Sequence, residues 1–157
     1  MKKKIITLFL AFVLCLTGMI YSTVEANAES TSEEIVISEL MTEDAIVGYS
    51  QNQTWGVYYS DGYSVINKIS SSKVGAGGVT HANVKCTVSV QAILERQNSS
   101  GGWGRVTSWV QTNQNAYSAM ISKSVTVASG YYYRVRCYHD AGTDTSTSST
   151  GALWIGN

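Results

Sequence analysis

The chain of 157 residues has no proline, three cysteines and only 14% charged residues. Three cysteines, one of them inside an N-terminal apolar run, are too few for a disulfide-stapled miniprotein. Eleven bases balance eleven acids, so the formal net charge is zero. That excludes a broadly basic nucleic-acid binder, whose binding domain carries a positive excess. No stretch past the N-terminal region carries a 3.6-residue apolar period, which removes helical folds from consideration. What is plentiful is serine (21), threonine (15), glycine (14) and aromatic residues (10%). Their β-branched and aromatic content is too high for a disordered chain. The balance describes one small, polar-surfaced, β-rich domain.

Residues 1–28 read as a secretory signal peptide. Lys2, Lys3 and Lys4 precede an apolar run from Ile5 to Ile20, and Ala26-Asn27-Ala28 offers small residues for cleavage after Ala28. A membrane anchor is the competing reading, but the run is shorter than the roughly 20 residues a spanning helix needs. Leu14 before Cys15 is not the small residue of a lipoprotein signal. The expected product is secreted and extracellular, with no transmembrane segment after cleavage.

Residues 29–44 form an acidic leader or linker: Glu29, Glu33, Glu34, Glu39, Glu43 and Asp44 with no base among them. The body, 45–157, carries eight bases and four acids. Most such charge runs are solvated surface; the functional alternative is a pro-segment covering a mildly basic face until it is removed. Ile35, Ile37, Leu40 and Met41 would let part of it dock as a short helix or strand.

Within the body, Val84, Cys86, Val88, Val90, Ala92 and Leu94 alternate with polar neighbours, the period of a half-buried strand. Asn98-Ser-Ser-Gly-Gly102 supplies turn chemistry, and Trp103 to Val110 returns, so 84–110 is expected to be a hairpin. Ala119 to Val127 and Tyr131 to Tyr138 alternate in the same way. A second hairpin is expected from 55–59 and 63–69 across Ser60-Asp61-Gly62. Gly75-Ala-Gly-Gly78 reads as a break, Ala141 to Ser149 as a polar loop, and Gly151 to Ile155 as a last short strand. Seven or so short strands with turn signals between them predict an immunoglobulin- or fibronectin-like antiparallel β-sandwich.

Two details sharpen that expectation. Cys86 and Cys137 both fall on inward strand positions, and secretion would permit a disulfide between them; two buried free thiols are the alternative. The stretch Val127-Ala-Ser-Gly-Tyr-Tyr-Tyr-Arg-Val135 resembles the approach to the sixth strand of a fibronectin-type sandwich. The resemblance implies a tyrosine-corner role for Tyr133, its hydroxyl bonded back to the preceding connection.

Catalytic chemistry is poorly supplied. His81 and His139 are the two histidines. His139-Asp140 are strand neighbours and so point to opposite faces. Asp140 and Asp144 lack the ligand spacing of a calcium loop, and no set of three or four convergent ligands suggests zinc. Gly75-Ala-Gly-Gly78 is not followed by the Lys-Ser or Lys-Thr of a phosphate loop. No catalytic residue, metal or cofactor is therefore assigned. Aromatic residues stand out instead, since they exceed what one small core can hold and some must face solvent. Tyr132, Arg134, Arg136 and Tyr138 share an outward strand face, and Trp103 sits at a hairpin tip. These five are the candidate binding residues, although arginine stems packed over tyrosine rings would also make an ordinary surface.

The runs Leu40-Met-Thr-Glu-Asp44, Gly62-Tyr-Ser64, Gly75-Ala-Gly-Gly78, Leu94-Glu-Arg96, Val106-Thr-Ser-Trp109 and Gly130-Tyr-Tyr-Tyr-Arg-Val-Arg136 resemble a family of small secreted proteins of unknown function from Gram-positive, clostridia-like bacteria. The resemblance implies an exported protein and carries no site residues. The expected function is thus a secreted, non-enzymatic binding module for cell-wall glycan or a protein partner, with no nucleic acid involved. A secreted effector (antimicrobial, signalling or inhibitory) matured by removal of the acidic segment is the second reading, and an unrecognised hydrolase, which would need His81, His139 and an acid to converge from separate strands, is the third.

Overall fold

The computed structural model describes residues 32–50 and 56–157. The expected signal peptide and cleavage site, and Trp55, lie outside the described residues. Nine elements follow in order: β1 Ser32–Glu34, α1 Ile37–Leu40, β2 Ile46–Tyr49, β3 Tyr59–Ser70, β4 Lys73–Gln97, β5 Trp103–Thr126, β6 Tyr131–Ala141, β7 Asp144–Ser149 and β8 Leu153–Ile155. Every strand pairing is antiparallel. The class is all-β and sandwich-like.

Two long strands build both layers. The first half of β4 pairs with β3 from Lys73 to Ala82, while its second half pairs with β6 from Val88 to Arg96. β5 accompanies β4 almost throughout, except where the register breaks between His81 and Cys86. There both strands turn from one layer into the other. Asn115, at φ 50°, takes the left-handed conformation on the β5 side of this corner, a conformation asparagine tolerates better than most residues. On the β4 side the backbone amide of Asn83 donates to the Tyr58 carbonyl and its side-chain amide to the Tyr59 carbonyl. One layer therefore runs β2-β3-β4-β5-β1 and the other β5-β4-β6 with β7 and β8 alongside β6. All eight strands belong to one hydrogen-bonded antiparallel sheet that folds over on itself; β3-β4-β5 and β4-β6-β7 follow the A-B-E and C-F-G orders of an immunoglobulin-type sandwich, but β4 serves in both layers and β1, β2 and β8 have no counterpart in those orders.

The core lies between the layers. Val74, Ala76, Val88, Val90, Ala92, Leu94, Val125, Tyr133, Val135, Cys137 and Ile155 are all buried in it. The alternation from Val88 to Leu94 faces inward as expected, but Val84 is exposed and Cys86 only half-buried, because both fall in the corner.

Several sequence expectations need correction. The hairpin turn at Asn98–Gly102 is present, with Asn98 Oδ1 accepting from the amides of Ser100 and Gly102, but its return strand runs on to Thr126. Ser60-Asp61-Gly62 is no turn; it lies inside β3. Ala141 to Ser149 is not a loop, since Asp144–Ser149 forms β7 on the edge of β6. Nor does Gly75-Ala-Gly-Gly78 break a strand. It lies in mid-β4, where glycine is required by close approach: a Cβ on Gly75 would sit 2.1 Å from Leu40 Cδ2, and one on Gly78 2.4 Å from Cys137 Sγ.

That last contact also corrects the disulfide. Cys86 and Cys137 are both free. Cys137 lies opposite Ala92 in the β4–β6 ladder, six positions from Cys86. At about 3.3 Å per residue that is well beyond the roughly 7 Å that a disulfide can span between Cα atoms. The residue facing Cys137 across the sandwich is Gly78, which has no side chain to offer.

Residues 32–40 of the acidic segment are docked. β1 pairs with Lys123–Val125 of β5, Glu33 pairs with Lys73 and Glu34 with Lys123, and Ser122 Oγ donates to the Ile35 carbonyl. Leu40 at the end of α1 is 0% exposed. The side-chain-free surface of Gly75 receives it, which explains how an outer sheet face buries a leucine.

Candidate functional site

The five candidate residues lie on the outer face of the β5-β4-β6 layer, together with groups that the sequence reading did not single out. β6 alternates Tyr133, Val135 and Cys137 inward, leaving Tyr132, Arg134, Arg136 and Tyr138 outward. Its register on β4 sets Glu95 opposite Arg134 and Ile93 opposite Arg136. Glu95 is 4% exposed, and each of its carboxylate oxygens is taken by a different arginine: Arg134 Nε donates to Oε2 at 2.7 Å and Arg136 to Oε1 at 2.8 Å. A buried carboxylate with both oxygens in charge-assisted bonds is well satisfied. Two guanidinium groups share that one acid, so the cluster keeps a positive excess.

Aromatic rings fix the arginines from the sides. The Arg134 guanidinium lies 4.3 Å from the Trp103 ring centroid and that of Arg136 5.5 Å from Tyr138, within cation–π range. Trp103 thus folds back onto the sheet instead of projecting from the hairpin tip. Tyr132 is separate from this cluster and packs on Trp154 of β8, centroids 5.0 Å apart with both rings exposed. At the end of the same strand Arg96 covers Tyr131 at 4.5 Å. The face therefore presents an aromatic pair, then a guanidinium pair held by Glu95, then Tyr138.

Glu95 and Trp154 were missed as site residues. Glu95 is the single acid on the outward positions of the long alternating strand, but only the β4–β6 register shows which bases it meets. Trp154 sat in a three-residue strand too short to assign a face.

Tyr133 is buried, and its hydroxyl donates to the Ala128 carbonyl at 2.7 Å, in the connection preceding β6. Burial pushes its phenol pKa up.

The histidines do not converge. His81 is on the outer face of the other layer, 2.9 Å from Asp61. His139 is 0% exposed in the core. Its Nδ1 lies 2.8 Å from Thr80 Oγ1, which itself donates to the Ser89 carbonyl, and its Nε2 lies 2.8 Å from Ser148 Oγ. Because Thr80 has spent its proton on Ser89, it must accept from Nδ1–H, leaving Nε2 to accept from Ser148. The imidazole is neutral in this arrangement, and burial lowers its pKa to about 4. Ser148 beside His139 has the form of a nucleophile–base pair, yet both are sealed from solvent. Asp144 is likewise committed, its Oδ2 accepting from the amides of Tyr58 and Tyr59. Burial drives the Cys137 thiol up to about 12, so it stays protonated and inert.

Fold and site together define a class: a small all-β sandwich with an arginine–aromatic outer face. Residues 30–153 match the Family of unknown function (DUF6147). The chain belongs to that family, and the match includes residues 30–44 of the acidic segment. No curated protein and no solved structure matches the chain.

Proposed function

We propose that the protein is a secreted, non-enzymatic binding module of Gram-positive bacteria that attaches to cell-envelope glycan through the outer face of β6, β4 and β5. The observation that carries this reading is the pair Arg134 and Arg136, fixed by one buried carboxylate and flanked by Trp103 and Tyr138. Side chains immobilised before a ligand arrives lose little entropy on binding it. Rings offer faces to sugars and guanidinium groups offer forks to phosphate or carboxylate substituents. The Tyr132–Trp154 pair extends the face along the same side. Lys2, Lys3 and Lys4 before the apolar run, and the small residues Ala26-Asn27-Ala28 after it, support export.

The docked acidic segment weighs against the effector reading. An element that buries Leu40 completely behaves as part of the fold and not as a detachable leader.

The test is co-sedimentation of the protein with purified sacculi, with and without wall teichoic acid, and with chitin and cellulose, across a salt series. Arg136→Ala and Trp154→Ala are compared with the parent. Binding lost with salt and with Arg136→Ala assigns the anionic polymer; binding that resists salt but falls with Trp154→Ala assigns stacking on the sugar itself. Failure to pellet with every polymer refutes the glycan reading and leaves a protein partner.

A further inference from the structure

The edges of this fold are guarded unequally. β1 and β8 have three residues each and β2 four, and β1 carries Glu33 and Glu34. β7 has six and begins with Asp144. Short and charged edges discourage pairing with another chain. The first half of β5 is different. Between the register shifts beside Glu95 and Val88, residues 107–113 pair with β4 in unbroken register, and among the described residues no strand lies on their other side. The sequence there is Thr-Ser-Trp-Val-Gln-Thr-Asn: β-branched and aromatic, with no charge, no proline and no glycine. Val110 at its centre is 57% exposed.

We infer that this edge is a self-association surface, on which β5 residues 107–113 pair antiparallel with the same residues of a second copy about a two-fold axis at Val110. An isologous contact requires a self-complementary patch, and this strand meets the condition. With Val110 opposite itself, Ser108 faces Thr112, Trp109 faces Gln111 and Thr107 faces Asn113, so no like charges oppose one another. The pairing satisfies backbone groups along a complete strand edge. An antiparallel two-fold runs perpendicular to the sheet, so both outer faces end on the same side of one continuous sheet. If the glycan reading above holds, each dimer then offers two coplanar arginine–aromatic faces to one polymer, and avidity follows from their linkage. The association itself does not depend on that reading.

Sedimentation equilibrium of the full-chain protein without any polymer, over a wide concentration range, tests it. The expected result is a monomer–dimer equilibrium and slower amide exchange of residues 107–113 as concentration rises. Val110→Lys would place two ammonium groups face to face and shift the protein to monomer, while Val110→Thr would keep the dimer. Val110→Cys would form an intermolecular disulfide on oxidation, since opposed antiparallel Cα atoms lie about 4.5–5.5 Å apart; the parent protein, which keeps Cys15, Cys86 and buried Cys137, serves as the control. A parent that is monomeric at every concentration, or a dimer untouched by Val110→Lys when circular dichroism shows that variant folded, overturns the inference.

Discussion

Lowering the pH should destabilise this protein through one residue, His139. Its side chain is wholly buried beside Thr80, Ser148 and Tyr59, and the Asp61 charge opposes the dominant desolvation. The folded-state pKa is about 4 against an ordinary value of 6.5. Protonation must also reverse one bond of the network, because Nε2 accepts from Ser148 and, once it carries a proton, can only donate to that hydroxyl. Below pH 6.5 the unfolded chain binds a proton that the folded chain refuses, so stability rises with pH across this window. The contribution is intact above pH 6.5 and is lost progressively as pH falls to about 4. A gap of this width corresponds to on the order of 3 kcal/mol. The assay is urea unfolding followed by tryptophan fluorescence at pH 4, 5, 6 and 7.5, comparing the parent with His139→Asn, whose amide can still donate to Thr80. The variant should be less stable at pH 7.5 and should lose less between pH 7 and 4. Equal slopes for the two proteins would refute the reasoning, since the proton uptake would then lie elsewhere.

Three further outcomes follow from the geometry. Dithiothreitol should leave the thermal midpoint unchanged, and a thiol probe should label Cys86 in the native state and Cys137 only after unfolding; a lowered midpoint would reinstate the disulfide. Leu40→Ala should cost about 2–4 kcal/mol if the segment stays docked, or less if it detaches, and amide exchange of residues 33–40 tells which; no change in either stability or exchange would contradict the docking. Glu95→Ala should cost about 2 kcal/mol, the value of charge-assisted bonds discounted for arginines that can turn to solvent, and should increase the mobility of the Arg134 and Arg136 side chains in NMR relaxation.

The class of the fold was legible because period-two alternation is a local signal, and the turn at Asn98–Gly102 carries its own chemistry. Boundaries were not, because β5 lacks any breaker between Val110 and Ala119: the corner at Asn115 looks like ordinary polar sequence until its partner strand is known. The glycines of 75–78 misled for the opposite reason. They look like a breaker, yet they serve tertiary contacts with Leu40 and Cys137 that only the docked elements create. Candidate side chains on β6 could be read from alternation alone, whereas Glu95 and Trp154 depend on cross-strand register. Cys86 misled because the alternation continues through a corner where facing directions change.

The passage of β4 and β5 through both layers bears on how the chain folds. β4 and β5 form a single two-stranded ribbon, closed by the short turn at Asn98–Gly102, that supplies the middle of each layer. β3 adds to one half of the ribbon and β6 to the other, and β1 joins the first layer across β5. A slip of one residue in the ribbon would invert the buried side chains of both layers at once. The irregular corner works against that error, because Cys86 pairs with Ala116 between two register shifts and a one-residue slip would displace both.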